Sequence, residues 1–288
     1  MTEPDYVAPT TVAAAVAALH AARGSVQVLA GGTDLLVQLR SGRTRCDLIV
    51  DVKRIPDFIG VRSDAGGFLI GAATPCAMLG EHAALAAAWP GVVEAATLIG
   101  STQVQGRASL GGNLCNASPA ADAVPALVAA GATCVIEGPT GRRDARVESL
   151  QAGPGRNTLA RGEVVVAIRL PARPPRSGDA YLRLIPRTEM DIAVVGAGVC
   201  LSVDPQGVVT QACVALGAVA PTTLRVDAAG AALVGSRLDE AALGRLAAAA
   251  SAACRPIDDK RGTIVYRTKV AGVLARRAAL IAHARALA

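Results

Sequence analysis

The chain has 288 residues, 52% hydrophobic, 18% charged and only 2% aromatic, with a net charge of +6. That is enough apolar chain for a substantial core divided over two lobes or domains. The scarcity of aromatic residues among its arginines argues against a nucleic-acid surface, and no apolar run approaches the roughly 20 residues of a membrane span. The N-terminal stretch MTEPDYVAPT has no basic n-region and no apolar core, so it does not read as a secretory signal and a cytoplasmic protein is expected.

Taken in order, TVAAAVAALHAAR (11–23) reads as a helix stopped by Gly24, and SVQVLA (25–30) as a strand running into Gly31 and Gly32. DLLVQLRSG has apolar residues at helical spacing, with Asp34 at its start and Gly42 as its stop. CDLIVDV (46–52) and GGFLIGAAT (66–74) are strands, and a helix follows around MLGEHAALAAAW, ending before Pro90. GVVEAATLIGSTQVQGRASLGGN begins as a helix and passes into irregular chain holding a second glycine pair, Gly111 and Gly112. DAVPALVAAGATCVIEG is a short helix and then a strand, and GEVVVAIRLP (162–171) is a strand stopped by Pro171.

PARPPRSGD is the best linker in the chain, which places a boundary near 172–178. Beyond it, DIAVVGAGVCLSVD and VVTQACVALGAVA alternate across the turn-like DPQG and predict an antiparallel hairpin. Two helical stretches, LDEAALGRLAAAASAAC and VYRTKVAGVLARRAALIAHARAL, close the chain. The pattern is an α/β part followed by a smaller α+β part with helices on one side of a short antiparallel sheet.

The seven cysteines are scattered, odd in number and without a CxxC pair, so they read as buried reduced thiols and no metal site is expected. His20, His82 and His283 fall in separate predicted helices and read as surface or packing residues. There is no P-loop, no GxSxG elbow and no HExxH; VVGAGVC (194–200) lacks the third glycine of a dinucleotide fingerprint and reads as a strand.

What remains is a repeated design. LAGGTDLL (29–36) and SLGGNLCNASPAAD (109–122) each place a glycine pair before small polar residues and an acid. A glycine pair bares backbone N–H groups for close approach of phosphate, and Thr33 and Asp34 open a helix whose N-terminus adds positive potential. Either loop alone is equally a turn of small residues. Together they suggest two halves of a grip on one dinucleotide, with Cys115 a small buried filler.

LAGGTDLL with RASLGGNLCNASPAAD resembles the FAD-binding subunits of the molybdenum hydroxylases, the xanthine dehydrogenase and carbon monoxide dehydrogenase family; GEVVVAIRLP and YLRLIPRTEMDIAVVGAGV extend the resemblance along nearly the whole chain. The resemblance implies an α+β fold: a two-lobed FAD-binding domain of the vanillyl-alcohol-oxidase (PCMH) type over 1–174, with lobes of about 1–55 and 56–174, then a carbon monoxide dehydrogenase flavoprotein-like domain over 178–288. It implies that Ala30, Gly31, Gly32, Thr33 and Asp34 hold the FAD pyrophosphate from one side, with Leu35 also in the cofactor site, and Ser109, Gly111 and Gly112 from the other. Asn113, Asn116 and Ser118 would bond phosphate or ribityl oxygens, and Asp122 ribityl or ribose hydroxyls. Ile99 and Val165 would lie against the isoalloxazine, or simply pack the core; Arg183 would approach the ring system, or serve as an interface cation.

The activity implied is electron transfer from [2Fe-2S] clusters of a small partner subunit to an external acceptor, with molybdopterin in a large partner subunit. The assembly would be a heterotrimer or a dimer of heterotrimers. Some members of the family carry an aromatic residue where Ile99 stands, and the benzoyl-CoA-reductase type carries an inserted cysteine-rich loop that is absent from this sequence. Two other readings are a stand-alone flavin oxidase of the same fold, which would act on substrate beside the flavin, and a non-enzymatic assembly subunit with vestigial glycine loops.

Overall fold

In the computed structural model, which describes residues 3–288, strand Val26–Leu29 lies parallel to Leu48–Asp51, and the helix Leu35–Arg40 makes the crossover between them. A short strand, Asp5–Val7, pairs in parallel on the other side of Leu48–Asp51 and completes a three-stranded sheet. Helix Val12–Ala21 buries Ala15 and Leu19 and is capped by the Thr11 hydroxyl. Only this first lobe has the parallel α/β character that the pattern suggested for the whole N-terminal part.

The second lobe is an antiparallel sheet with strands in the order Val61–Asp64, Gly67–Gly71, Val164–Leu170, Thr133–Gly138 and Gly141–Arg146. Its central strand, Val164–Leu170, is buried almost throughout, which is why VVVAIRL is an apolar run rather than an alternating one. Helices between residues 76 and 129 cover it. The single helix expected around 78–89 is in fact two, Cys76–Glu81 and Ala83–Ala88, broken at His82, whose Nδ1 accepts from Leu85 N at 3.1 Å and caps the second. The second glycine pair is not in irregular chain either. Gly111 and Gly112 lie in the helix Leu110–Cys115, capped by the Ser109 hydroxyl.

The C-terminal part is a four-stranded antiparallel meander: Ser177–Leu184, Val195–Val203, Val209–Gly217 and Leu224–Arg225. The hairpin predicted from DPQG is present as its middle two strands. The expected linker is shorter than PARPPRSGD, because Ser177, Gly178 and Asp179 already pair with Ser202, Leu201 and Cys200. Helix Ile264–Leu287 packs on one face of this sheet, and helix Glu240–Ala253 packs against that helix. Its other face lies against the helix Ala123–Ala129 of the second lobe.

The alternation in Val195–Val203 serves both faces. Ala197, Val199, Leu201 and Val203 enter the C-terminal core. Gly198 faces the second lobe, where a Cβ would come 2.5 Å from the Pro125 carbonyl oxygen. Tyr181 and Ala215, on the C-terminal strands, belong to the core of the N-terminal part. No helix of the described residues is long and apolar enough to cross a membrane.

Candidate functional site

A cavity of about 380 Å³ opens where the two lobes meet. The strand Val26–Leu29 delivers residues 30–34 to its C-terminal edge, the edge at which parallel strands present ligand loops. Ala30, Gly31, Gly32, Thr33, Asp34 and Leu35 line one side; Ser109, Gly111, Gly112, Asn113 and Asn116 line the other, and Ile99 and Val165 complete it. Residues from two glycine motifs eighty positions apart thus share one cavity.

The four glycines divide the task. A Cβ at Gly31 would fall 1.9 Å from the Arg107 carbonyl oxygen, and one at Gly111 would fall 2.5 Å from that of Ala72. The first glycine of each pair therefore lets two stretches of backbone touch. Gly32 has φ +76°, the left-handed region where glycine carries no Cβ penalty. At Gly112 a Cβ would meet only Ser109 Oγ, at 3.2 Å, so its bareness leaves room on the cavity side. Among the described residues, the N–H groups of Thr33, Asp34 and Leu35 have no protein acceptor and remain available as donors.

The polar side chains complement these donors. Asn113 Oδ1 accepts from Ala123 N at 3.1 Å, a group that can only donate, which leaves its amide nitrogen as the free end. The Asp34 carboxylate has no protein partner among the described residues, and burial raises its pKa. A bare carboxylate suits a hydroxyl donor better than a phosphate, so a phosphate contact at Asp34 would fall to its backbone N–H. Cys115 also lines the cavity, and burial pushes its thiol up to about 12, so it stays a neutral filler. The cysteines are all free; Cys76, Cys134 and Cys254 are buried, and the others are partly buried.

Ser118, Asp122 and Arg183 do not line the cavity. Ser118 Oγ accepts from Ala120 N at 3.3 Å in a local turn. Asp122 is buried with both oxygens taken: Tyr181 Oη donates at 3.0 Å and Arg183 Nη1 at 2.7 Å. Burial raises the Asp122 carboxyl to about 6, against the pull of the Arg183 guanidinium and the Tyr181 hydroxyl. In this structure the three groups tie the second lobe to the strand Ser177–Leu184.

Two stretches of wall were not anticipated. Gln38 follows one turn after Asp34 on the same helix face, a spacing visible in the sequence had the helix been projected. Asn157, at the end of the short strand Arg156–Asn157, and Leu159, Arg161 and Glu163, in the loop that follows it, also line the wall. That loop is pinned by Glu163, which accepts from Arg143 at 2.6 and 2.8 Å and from Ala160 N at 2.8 Å.

A two-lobed domain in which two glycine pairs, one in a loop and one in a helix, meet at a shared cavity has the architecture expected of a dinucleotide-binding protein. The family described as "FAD binding domain in molybdopterin dehydrogenase" matches residues 2–173, and the "CO dehydrogenase flavoprotein C-terminal domain" matches residues 180–282. The carbon monoxide dehydrogenase medium chain of Afipia carboxidovorans is 36% identical over 98% of this chain and 97% of that one. The nicotinate dehydrogenase FAD-subunit of Eubacterium barkeri is 28% identical over 83% of this chain and 82% of that one. The solved structure of carbon monoxide dehydrogenase from Hydrogenophaga pseudoflava superposes with a TM-score of 0.94 at 36% identity, covering 99% of this chain and 98% of that one. This chain belongs to the family of FAD-binding medium subunits of the molybdenum hydroxylases, and it is an oxidoreductase subunit with an FAD-binding domain.

Proposed function

We propose that this chain is the electron-transfer subunit of a cytoplasmic molybdenum-containing hydroxylase. It would receive electrons from the [2Fe-2S] clusters of a small subunit and pass them to an external acceptor. A large subunit would carry molybdopterin, in a heterotrimer or a dimer of heterotrimers. The observation that carries this reading is the convergence of both glycine motifs on one cavity. FAD, when bound, supplies both one- and two-electron chemistry, which suits a link between iron–sulfur clusters and a two-electron acceptor.

The chain's own residues would bind and orient the dinucleotide. The free N–H groups of residues 33–35 and the amide of Asn113 are donors for phosphate oxygens. Asp34 would accept from a sugar or ribityl hydroxyl, and Ile99 and Val165 would offer apolar surface to a flat ring. Among the described residues the cavity wall contains no histidine, and its one thiol is held protonated. That favours electron transfer over a stand-alone oxidase with a covalent flavin anchor. The domain boundary near 174–178 is likewise our reading, supported by a second core drawn only from residues after it.

The test is co-purification with the partner subunits and identification of the released cofactor. A yellow complex that releases FAD and loses acceptor reduction when stripped is the expected result. A colourless complex with full activity would overturn the assignment. Turnover of an organic substrate by the isolated chain without molybdenum would instead point to a stand-alone oxidase.

A further inference from the structure

Gln38 joins the two glycine motifs across the cavity wall. Its Nε2 donates to Asn116 Oδ1 at 3.0 Å, over 78 residues of sequence. Its Oε1 accepts from Thr44 Oγ1 at 3.1 Å. The chain beyond the helix folds back over it: Ser41 Oγ donates to the Gln38 carbonyl oxygen at 3.1 Å, and the N–H groups of Arg43 and Thr44 donate to the same oxygen at 3.0 and 3.3 Å. Gln38 is thus held at its backbone and at both ends of its side-chain amide.

A carboxamide has one donating and one accepting end, and its orientation decides which ligand atoms it can serve. Asn116 Oδ1 is occupied by Gln38, so the amide nitrogen of Asn116 is the end left for the cavity. Asn113 is turned the same way by a different partner, the N–H of Ala123. The two asparagines therefore present matching donors. A phosphate oxygen can only accept, so a reversed amide would be a mismatch there, whereas a hydroxyl would tolerate either end.

We propose that Gln38 is a positioning residue for the dinucleotide: it holds the Asn116 carboxamide with its NH₂ group toward the cavity, as a donor to a pyrophosphate oxygen. The inference rests on the FAD-binding reading of the same cavity. Gln38 need not touch the ligand for this, since its effect passes through Asn116.

The full chain would be stripped of flavin and titrated with FAD, following flavin fluorescence, for the wild type, Gln38→Met, Asn116→Ala and the double variant. Gln38→Met keeps the length of the side chain and adds no charge. It should weaken FAD binding by about 3- to 10-fold, the worth of one neutral hydrogen bond. In the Asn116→Ala background the same change should have no effect. Gln38→Glu can only accept from Asn116, so it should turn the amide and weaken binding further, by about 10- to 100-fold; the share of that loss due to the turned amide should vanish once Asn116 is removed, while the share due to the added charge should persist. Urea midpoints of the flavin-free forms should stay close to that of the wild type; a structural role alone would move them and give additive losses of affinity. Unchanged FAD affinity in Gln38→Met, or full additivity with Asn116→Ala, overturns the proposal. A wild-type chain that does not bind FAD would instead refute the functional reading beneath it.

Discussion

At Gly111 a Cβ would stand 2.5 Å from the Ala72 carbonyl oxygen, whereas at Gly112 it would meet only the end of the Ser109 side chain. Gly111→Ala should therefore destabilise the fold by about 1–3 kcal/mol through overpacking. Gly112→Ala should keep the fold, with a gain of up to about 1 kcal/mol from removing a helix-interior glycine, yet weaken FAD binding. Urea unfolding of the flavin-free chain and FAD titration would separate the two, and equal behaviour of both variants would contradict this division. Asp122 gives a second residue-scale test. Its carboxyl titrates near 6 in the native chain, raised from 3.8 by burial, so the folded state holds this proton more tightly than the unfolded one. Its contribution to stability is thus greatest below about pH 4 and falls as pH rises toward 6, by at most about 1.4 kcal/mol per pH unit, then stays level. Asp122→Asn should remove that part of the pH slope, measured as denaturant midpoints between pH 4 and 7.

The strand Val195–Val203 is two-faced, and each face has its own requirement. Its apolar face needs the bulk of Val199 and Leu201; its other face needs the bareness of Gly198 against Pro125. Gly198→Val should force the sheet away from the helix Ala123–Ala129 and lower stability by at least about 2 kcal/mol, read as a fall in melting temperature. Val199→Ala, on the opposite face, should cost a similar amount through a cavity, but leave Asp122, Tyr181 and Arg183 in place. The helix Ile264–Leu287 is tied to the same sheet by buried Arg267. Its Nη1 donates to the carbonyl oxygens of Val194 and Ala218 at 2.8 and 3.3 Å, and its Nη2 to Asp259 at 2.6 Å. Arg267→Met would leave these three acceptors without that donor and should destabilise the chain by about 2–3 kcal/mol in thermal or urea unfolding.

At the scale of the whole molecule, the C-terminal sheet lies between two cores and contributes side chains to both. That arrangement predicts one cooperative unfolding transition rather than two, because stripping the sheet from one core exposes the other. A ligand held only by the native cavity stabilises by mass action: FAD at about 100 times its Kd adds about 2.7 kcal/mol. Removing flavin should therefore lower the melting temperature by several degrees while the transition remains single, which calorimetry of loaded and stripped chain would show. Two resolved transitions would mean that the two parts unfold independently.

Much of this was legible in the sequence because it is local. The strand before Gly31, the helix after Asp34, the apolar run of Val164–Leu170 and the hairpin around DPQG follow from periodicity and turn chemistry within a dozen residues. The ordered glycine motifs, through their family resemblance, carried the FAD-binding class as well. Tertiary structure alone decided which glycine of each pair packs and which faces the cavity, since that depends on Arg107 and Ala72 lying across the site. It also turned Asp122 toward Arg183, 61 residues away, and Gln38 toward Asn116, 78 away. A side chain's partner across such a distance is set by how sheets and helices stack, and no local pattern records it.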